Sequence, residues 1–154
     1  MELILWRHAD AEDANGKEDR DRELTKKGRK QAEHMAKWLR PRLDDGWLIL
    51  SSPARRALQT VKPLDRPFEV SDDIDTSASA QGVLRAAGWP QNAKNVVVVG
   101  HQPTLGEVAG LLLLGEEADT PIRKGAIWWF ASRGDEGNMR ATLRAVLDPD
   151  LLDD

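Results

Sequence analysis

Two of the three histidines in this chain close a short apolar run, and that placement suits phosphoryl chemistry. Arg7-His8 ends the first such run. Gly100-His101 ends a run of four valines. Arg55 and Arg56 lie just past a third run, in the first turn of the helix expected there. An arginine fork matches the oxygens of a phosphoryl group in charge and shape. A neutral imidazole attacks phosphorus and forms a covalent phosphoramidate. A second imidazole can then donate a hydrogen bond to the transferring oxygens. Such a set works without a metal, because positioning and charge stabilisation supply most of the catalysis. The third histidine, His34, points away from the Ala32, Met35 and Leu39 stripe and reads as a solvated helix residue.

A scaffold must bring these distant segments to one edge. Residues 2–6 read as a buried strand, and residues 9–23, dense in charge, as a loop. Thr25 is the expected N-cap of a helix that Pro41 ends. Residues 47–50 form a second strand. Ser52-Pro53 reads as an N-cap followed by proline at the first helical position, opening a helix to about residue 60. Residues 63–77 are irregular, with a short strand around 68–70. Residues 80–87 form a helix closed by Gly88. The β-branched run 96–99 suits a central parallel strand buried on both faces. A helix over 103–114 follows, closed by Gly115. Residues 125–131 and 139–147 form a hairpin around 134–138, the second arm alternating with period two. The acidic end, 148–154, reads as a solvated tail.

This order implies an α/β fold, a three-layer α/β/α sandwich with a mainly parallel central sheet and an antiparallel C-terminal hairpin. Ligands of such sheets bind beyond the carboxyl ends of the strands, where Arg7, His8, Arg55 and His101 all fall. The length of 154 residues suits a single domain, 1–154. Hydrophobic residues are 40% and charged residues 31%, enough apolar material for a core. The formal charge of −4 disfavours nucleic acid and anionic membranes as partners, so phosphate affinity must be local. With no cysteine there is no disulfide, thiolate metal site or thiol nucleophile. No apolar run approaches the ~20 residues of a membrane span. The N-terminus lacks the pattern of a signal peptide, so the expected location is the cytoplasm.

Four motifs in order carry a resemblance. They are Leu5-Trp6-Arg7-His8-Ala9-Asp10, Leu24-Thr25-Lys26-Lys27-Gly28-Arg29-Lys30-Gln31-Ala32, Ser51-Ser52-Pro53-Ala54-Arg55-Arg56-Ala57-Leu58-Gln59-Thr60 and Gly100-His101-Gln102-Pro103. Together they resemble the histidine phosphatase superfamily, and within it the compact SixA-type phosphohistidine phosphatases. The resemblance implies that His8 is the nucleophile, that Arg7 and Arg55 clamp the phosphoryl oxygens, and that His101 completes the pocket. Arg22 and Gln102 are further candidates for substrate contact. No metal and no organic cofactor is expected. The commoner motif has glycine after the nucleophilic histidine, where this chain has Ala9. Larger members place a glutamate after the third motif to protonate the leaving oxygen. Asp73 is the nearest counterpart here, and Asp10 is a second candidate proton donor.

The expected substrate is phosphohistidine on a protein, with inorganic phosphate as product. Residues 61–95 leave no room for a cap domain, and an open pocket admits a side chain presented by a folded partner. Once protonated, imidazole leaves more easily than an alkoxide, so a weak general acid suffices. The alternatives are a small-molecule phosphomonoesterase or mutase on the same scaffold and a non-catalytic phosphoprotein-binding module. A metal hydrolase using His8, Asp10 and His101 is disfavoured because Arg7 and Arg55 would repel a dication. Trp128-Trp129-Phe130 places large apolar groups on both faces of a strand, read as core packing on one face and a helix or a partner on the other. Lys26, Lys27, Arg29 and Lys30 read as a solvated basic face.

Overall fold

The computed structural model describes residues 1–134 and 137–152. Six strands form one sheet: β1 (Glu2–Arg7), β2 (Trp47–Ser51), β3 (Glu69–Val70), β4 (Asn95–Gly100), β5 (Ile127–Ser132) and β6 (Ala141–Leu147). Their order is β3-β2-β4-β1-β5-β6. The first four are mutually parallel, whereas β5 runs antiparallel to β1 and β6 antiparallel to β5. This is the expected α/β sandwich, with the hairpin on one edge.

Successive side chains of a strand face opposite sides, and the sheet uses both. Leu3, Leu5, Val96, Val98 and Phe130 face one core, filled out by α3 (Ala80–Ala87) and α4 (Thr104–Leu114). Ile4, Trp6, Val97, Val99 and Trp129 face the other, covered by α1 (Lys26–Leu39) and α2 (Arg55–Val61). Strands β1 and β4 are therefore apolar at every interior position, which is why they read as continuous runs. Among the described residues no helix is long and apolar enough to cross a membrane.

Helix α1 presses against the loop after β1. Thr25 caps it, its Oγ accepting from the Gly28 N–H at 3.0 Å. A Cβ on Gly28 would lie 2.0 Å from the Asp10 carbonyl oxygen, so only a hydrogen fits there. That glycine lets the helix approach the backbone beside His8.

Several boundaries differ from the sequence reading. Helix α2 begins at Arg55 with Ala54 as N-cap, so Ser52 is not the cap and Pro53 lies outside the helix. Ser52 instead serves His101, as described below. Pro103 occupies the N-cap of α4 rather than its first turn. The alternation of the final hairpin is interrupted by an irregularity between Trp129 and Phe130, and Leu143 on the edge strand is exposed. Residues 135 and 136 of its expected turn lie outside the described residues. The acidic end is not all solvated: Pro149–Leu151 forms a single 3-10 turn with Pro149 buried, and Asp148 pairs with Arg123 at 2.8 Å. Its last two residues lie outside the described residues.

Candidate active site

The carboxyl ends of β1, β2 and β4 meet, and the loops leaving them are pinned to one another. The His8 N–H donates to the Gly100 carbonyl at 3.0 Å, and the His8 carbonyl accepts from Gly125 N–H at 3.0 Å. The Ser52 N–H donates to the Val99 carbonyl at 3.0 Å. These bonds set His8 and His101 side by side, their ring centroids 5.2 Å apart. Both are buried, with 7% and 4% of their surface exposed, so neither histidine is a solvated loop residue.

Each ring is held from one side. The His8 Nδ1 lies 2.8 Å from the Ala9 carbonyl. A carbonyl only accepts, so Nδ1 carries the proton and Nε2 keeps its lone pair. The His101 Nε2 lies 2.7 Å from Ser52 Oγ, while its Nδ1 is buried without a protein partner. Ala9 is fully buried and its N–H donates to Thr60 Oγ1 at 3.0 Å. Its φ is not positive, so alanine fits where related motifs carry glycine.

Two arginines reach the pair. Arg7 anchors its Nη1 on the Ile122 carbonyl at 2.8 Å. Arg56, only 4% exposed, is fastened by Asp19: Nη1 donates to its carbonyl at 2.7 Å and Nη2 to its carboxylate at 3.0 Å. The Nε atoms of both arginines, like His101 Nδ1, are buried without a protein partner. Both guanidinium charges act on His8 and on His101.

The structure does not bring every expected residue here. The Arg55 side chain is 53% exposed and turns toward Glu23, 3.9 Å away. Adjacent helical residues point about 100° apart, so one arginine of the pair faces in and the other out. Arg56 is the arginine of the pair that is buried and acts on the histidines. Arg22 donates to the Glu12 carbonyl at 2.7 Å and to Asp19 at 3.1 Å, bracing the loop that holds Arg56. Gln102 commits both ends of its amide, donating to the Thr120 carbonyl and accepting from Gly106 N–H. It orders a loop with one donor and one acceptor of its amide. Asp73 is exposed on the turn Asp72–Ile74. Asp10 accepts from Thr25 Oγ1 at 2.7 Å and from Lys124 at 3.1 Å. The Thr25 hydroxyl, followed by Lys124, holds its pKa below the usual carboxylate range, so it is ionised and ill-suited to donate a proton. Asp75 and Asp19 are the carboxylates whose charge acts on His101. Among the described residues no group of three or more His, Cys, Asp or Glu is arranged to hold a metal ion.

Burial holds the two imidazoles neutral. It lowers the His8 pKa to about 3, with His101, Arg56 and Arg7 adding to the effect against a raising contribution from the Ala9 carbonyl. It lowers the His101 pKa to about 4, with Arg56 next. A neutral, desolvated imidazole is the form able to attack phosphorus. The same shifts tie folding to pH. Unfolded histidine takes its proton near pH 6.5, whereas these two resist protonation until about pH 3–4. Their stabilising effect is therefore complete above pH 6.5 and is lost as pH falls from 6.5 toward 4. The slope approaches about 1.4 kcal/mol per pH unit for each ring. Urea midpoints measured from pH 7.5 to 4.5 should fall accordingly, and the double variant His8→Asn/His101→Asn should flatten the curve.

The first half of the chain, residues 3–79, matches the model of the histidine phosphatase superfamily (branch 1). An uncharacterized protein of Picosynechococcus is 34% identical over 124 residues, covering 75% of each chain. The SixA protein of Agrobacterium tumefaciens, named as a phosphohistidine phosphatase, superposes with a TM-score of 0.78 at 25% identity, covering 96% of this chain and 97% of its own. A phosphoserine phosphatase of Entamoeba histolytica superposes with a TM-score of 0.71 at 22% identity, covering 96% of each chain. The order of strands, the paired histidines at their carboxyl ends and the family match agree: this chain belongs to branch 1 of the histidine phosphatase superfamily.

Proposed function

We propose that this chain hydrolyses phosphohistidine on a partner protein through a covalent phospho-His8, without a metal. One observation carries the reading. Among the described residues, three of the four buried side-chain nitrogens without a protein partner belong to Arg7, Arg56 and His101, the groups around His8. Buried donors are almost always paired. Three unpaired ones on groups whose charges act on one neutral imidazole suit an anion with several acceptor oxygens.

In the proposed cycle Arg7, Arg56 and His101 bind the phosphoryl oxygens. His8 Nε2 attacks phosphorus in line, and the P–N bond of the substrate breaks. The leaving ring, protonated on its other nitrogen, departs as neutral imidazole and takes the bonding electrons. Water then attacks phospho-His8, releases inorganic phosphate and returns His8 to its neutral form. Positioning and charge stabilisation carry both steps.

Two features favour phosphohistidine over a phosphate ester. Asp10 is ionised and paired, and Asp73 lies out in solvent, so neither supplies the strong general acid that an alkoxide needs. The segment between α2 and β4 is taken up by β3, short turns and α3, which lies against α4 and the sheet rather than over the histidines. A segment that carries no added domain suits a substrate side chain presented by another protein. A small-molecule phosphomonoesterase is the second reading, favoured by the likeness to a phosphoserine phosphatase and by the charge of Asp75 on His101.

A substrate panel separates the two. A phosphohistidine-bearing protein should exceed phosphoserine and sugar phosphates in kcat/KM by at least about 100-fold, the lower end of what a missing general acid costs an alkoxide leaving group. Equal or better turnover of the esters would move the assignment to the second reading. Phosphate bound tightly with no phosphorylation of His8 would mark a binding module instead.

A further inference from the structure

We infer that the Ser52 hydroxyl sets the tautomer of His101, keeping it a neutral ring with its proton on Nδ1 and presenting that N–H to the phosphoryl pocket. The inference rests on the proposed function only for what the N–H binds. The tautomer itself follows from where hydrogen bonds can go.

Ser52 is fully buried at the end of β2. Its Oγ accepts from the Ala54 N–H at 3.1 Å and lies 2.7 Å from His101 Nε2. A serine hydroxyl has one proton and two lone pairs. Ala54 takes one lone pair. The proton needs an acceptor, and among the described residues Nε2 is the one in reach. Ser52 therefore donates and Nε2 accepts. A neutral imidazole that accepts at Nε2 carries its proton on Nδ1, the nitrogen that is buried without a protein partner.

The two other protonation states are each penalised. In the opposite tautomer Nε2–H would donate to Ser52, and the hydroxyl proton would be buried with nothing to bind. Nδ1 would then present a lone pair to an incoming anion. The imidazolium strands the same hydroxyl proton. The surroundings act in the same direction, since burial and the charges of Arg56 and Arg7 oppose protonation, partly offset by Asp75 and Asp19. Ser52 thus fixes a donor in advance, and a donor fixed before the reaction costs no reorganisation during it. Ser52 acts through His101, so it is a positioning residue. It also explains why Ser52 does not cap α2: its oxygen serves the loop and the imidazole.

The test is nitrogen-15 NMR of the full chain with labelled histidine near neutral pH, His101 being assigned by its loss in His101→Gln. The expected spectrum shows a protonated Nδ1 and a bare, hydrogen-bonded Nε2. Protonation on Nε2 in the wild-type protein overturns the inference. Ser52→Ala should lose the Nδ1–H preference and bind inorganic phosphate about tenfold more weakly, the effect of one misdirected hydrogen bond. Ser52→Thr keeps the hydroxyl and should restore both. An Ser52→Ala protein with unchanged tautomer and phosphate affinity also overturns it. If Ser52→Ala does not fold, the wild-type spectrum decides alone. The spectrum reports the resting protein, so it stands or falls separately from phosphorylation of His8.

Discussion

Replacing His8 with alanine is expected to reduce turnover by about 10⁴-fold or more, the scale seen when a covalent nucleophile is removed. The reason lies in what remains. Arg7, Arg56 and His101 would still bind the phosphoryl group, because each is anchored by partners other than His8: Ile122, Asp19 and Ser52. Binding and electrostatic stabilisation would survive while the atom that receives the phosphoryl group is gone. Inorganic phosphate affinity should therefore change far less than kcat. In acid-free mass spectrometry of a quenched reaction, the wild-type chain should carry one phosphoryl group on His8 and the variant none. A variant keeping more than about a tenth of the wild-type kcat would remove His8 from the nucleophile's role, since that loss is too small for a missing covalent step.

The parts of this arrangement that the sequence disclosed are those governed by local chemistry. Strands β1 and β4 were legible because both their faces are buried, which leaves unbroken apolar runs. Helix α3 was legible to the residue because Ser79 caps it and Gly88 ends it in the left-handed conformation. His8 and His101 were legible because each follows such a strand. The rest depended on contacts between distant segments. Nothing in Gln102 announces that Thr120 and Gly106 will occupy its amide. Asp10 looks like a free acid until Thr25 and Lys124 close on it. Pro149 is hidden in an acidic stretch, yet it is buried and its turn packs on α1. Ser52-Pro53 has the form of a helix start, but the hydroxyl finds His101 at the end of the neighbouring strand β4.

The choice between Arg55 and Arg56 was legible in principle, and it yields a sharp expectation. Residues four apart share a helix face. Arg56 is in register with Thr60, and both are buried; Arg55 is in register with Gln59, which bonds Glu23 beside it. Helix α2 thus turns Arg56, Ala57, Thr60 and Val61 inward and leaves Arg55 among Glu23, Lys17 and Arg29. Arg56→Ala should lower kcat by about 10²–10³-fold, the cost of removing one preorganised donor to a developing anion. Arg55→Ala should stay within a few-fold of wild type, as expected for a solvent-screened surface ion pair. Arg56→Lys should recover only part of the loss, because an ammonium cannot reproduce the guanidinium's fixed fork toward Asp19 and the phosphoryl oxygens together. Steady-state kinetics on the three variants decide the point. The reverse ranking, with Arg55→Ala the crippled protein, would mean that α2 rotates about its axis when substrate binds. That rotation would have to break the two bonds from Arg56 to Asp19 and bury the exposed charge of Arg55 in its place, so the resting geometry argues directly against it.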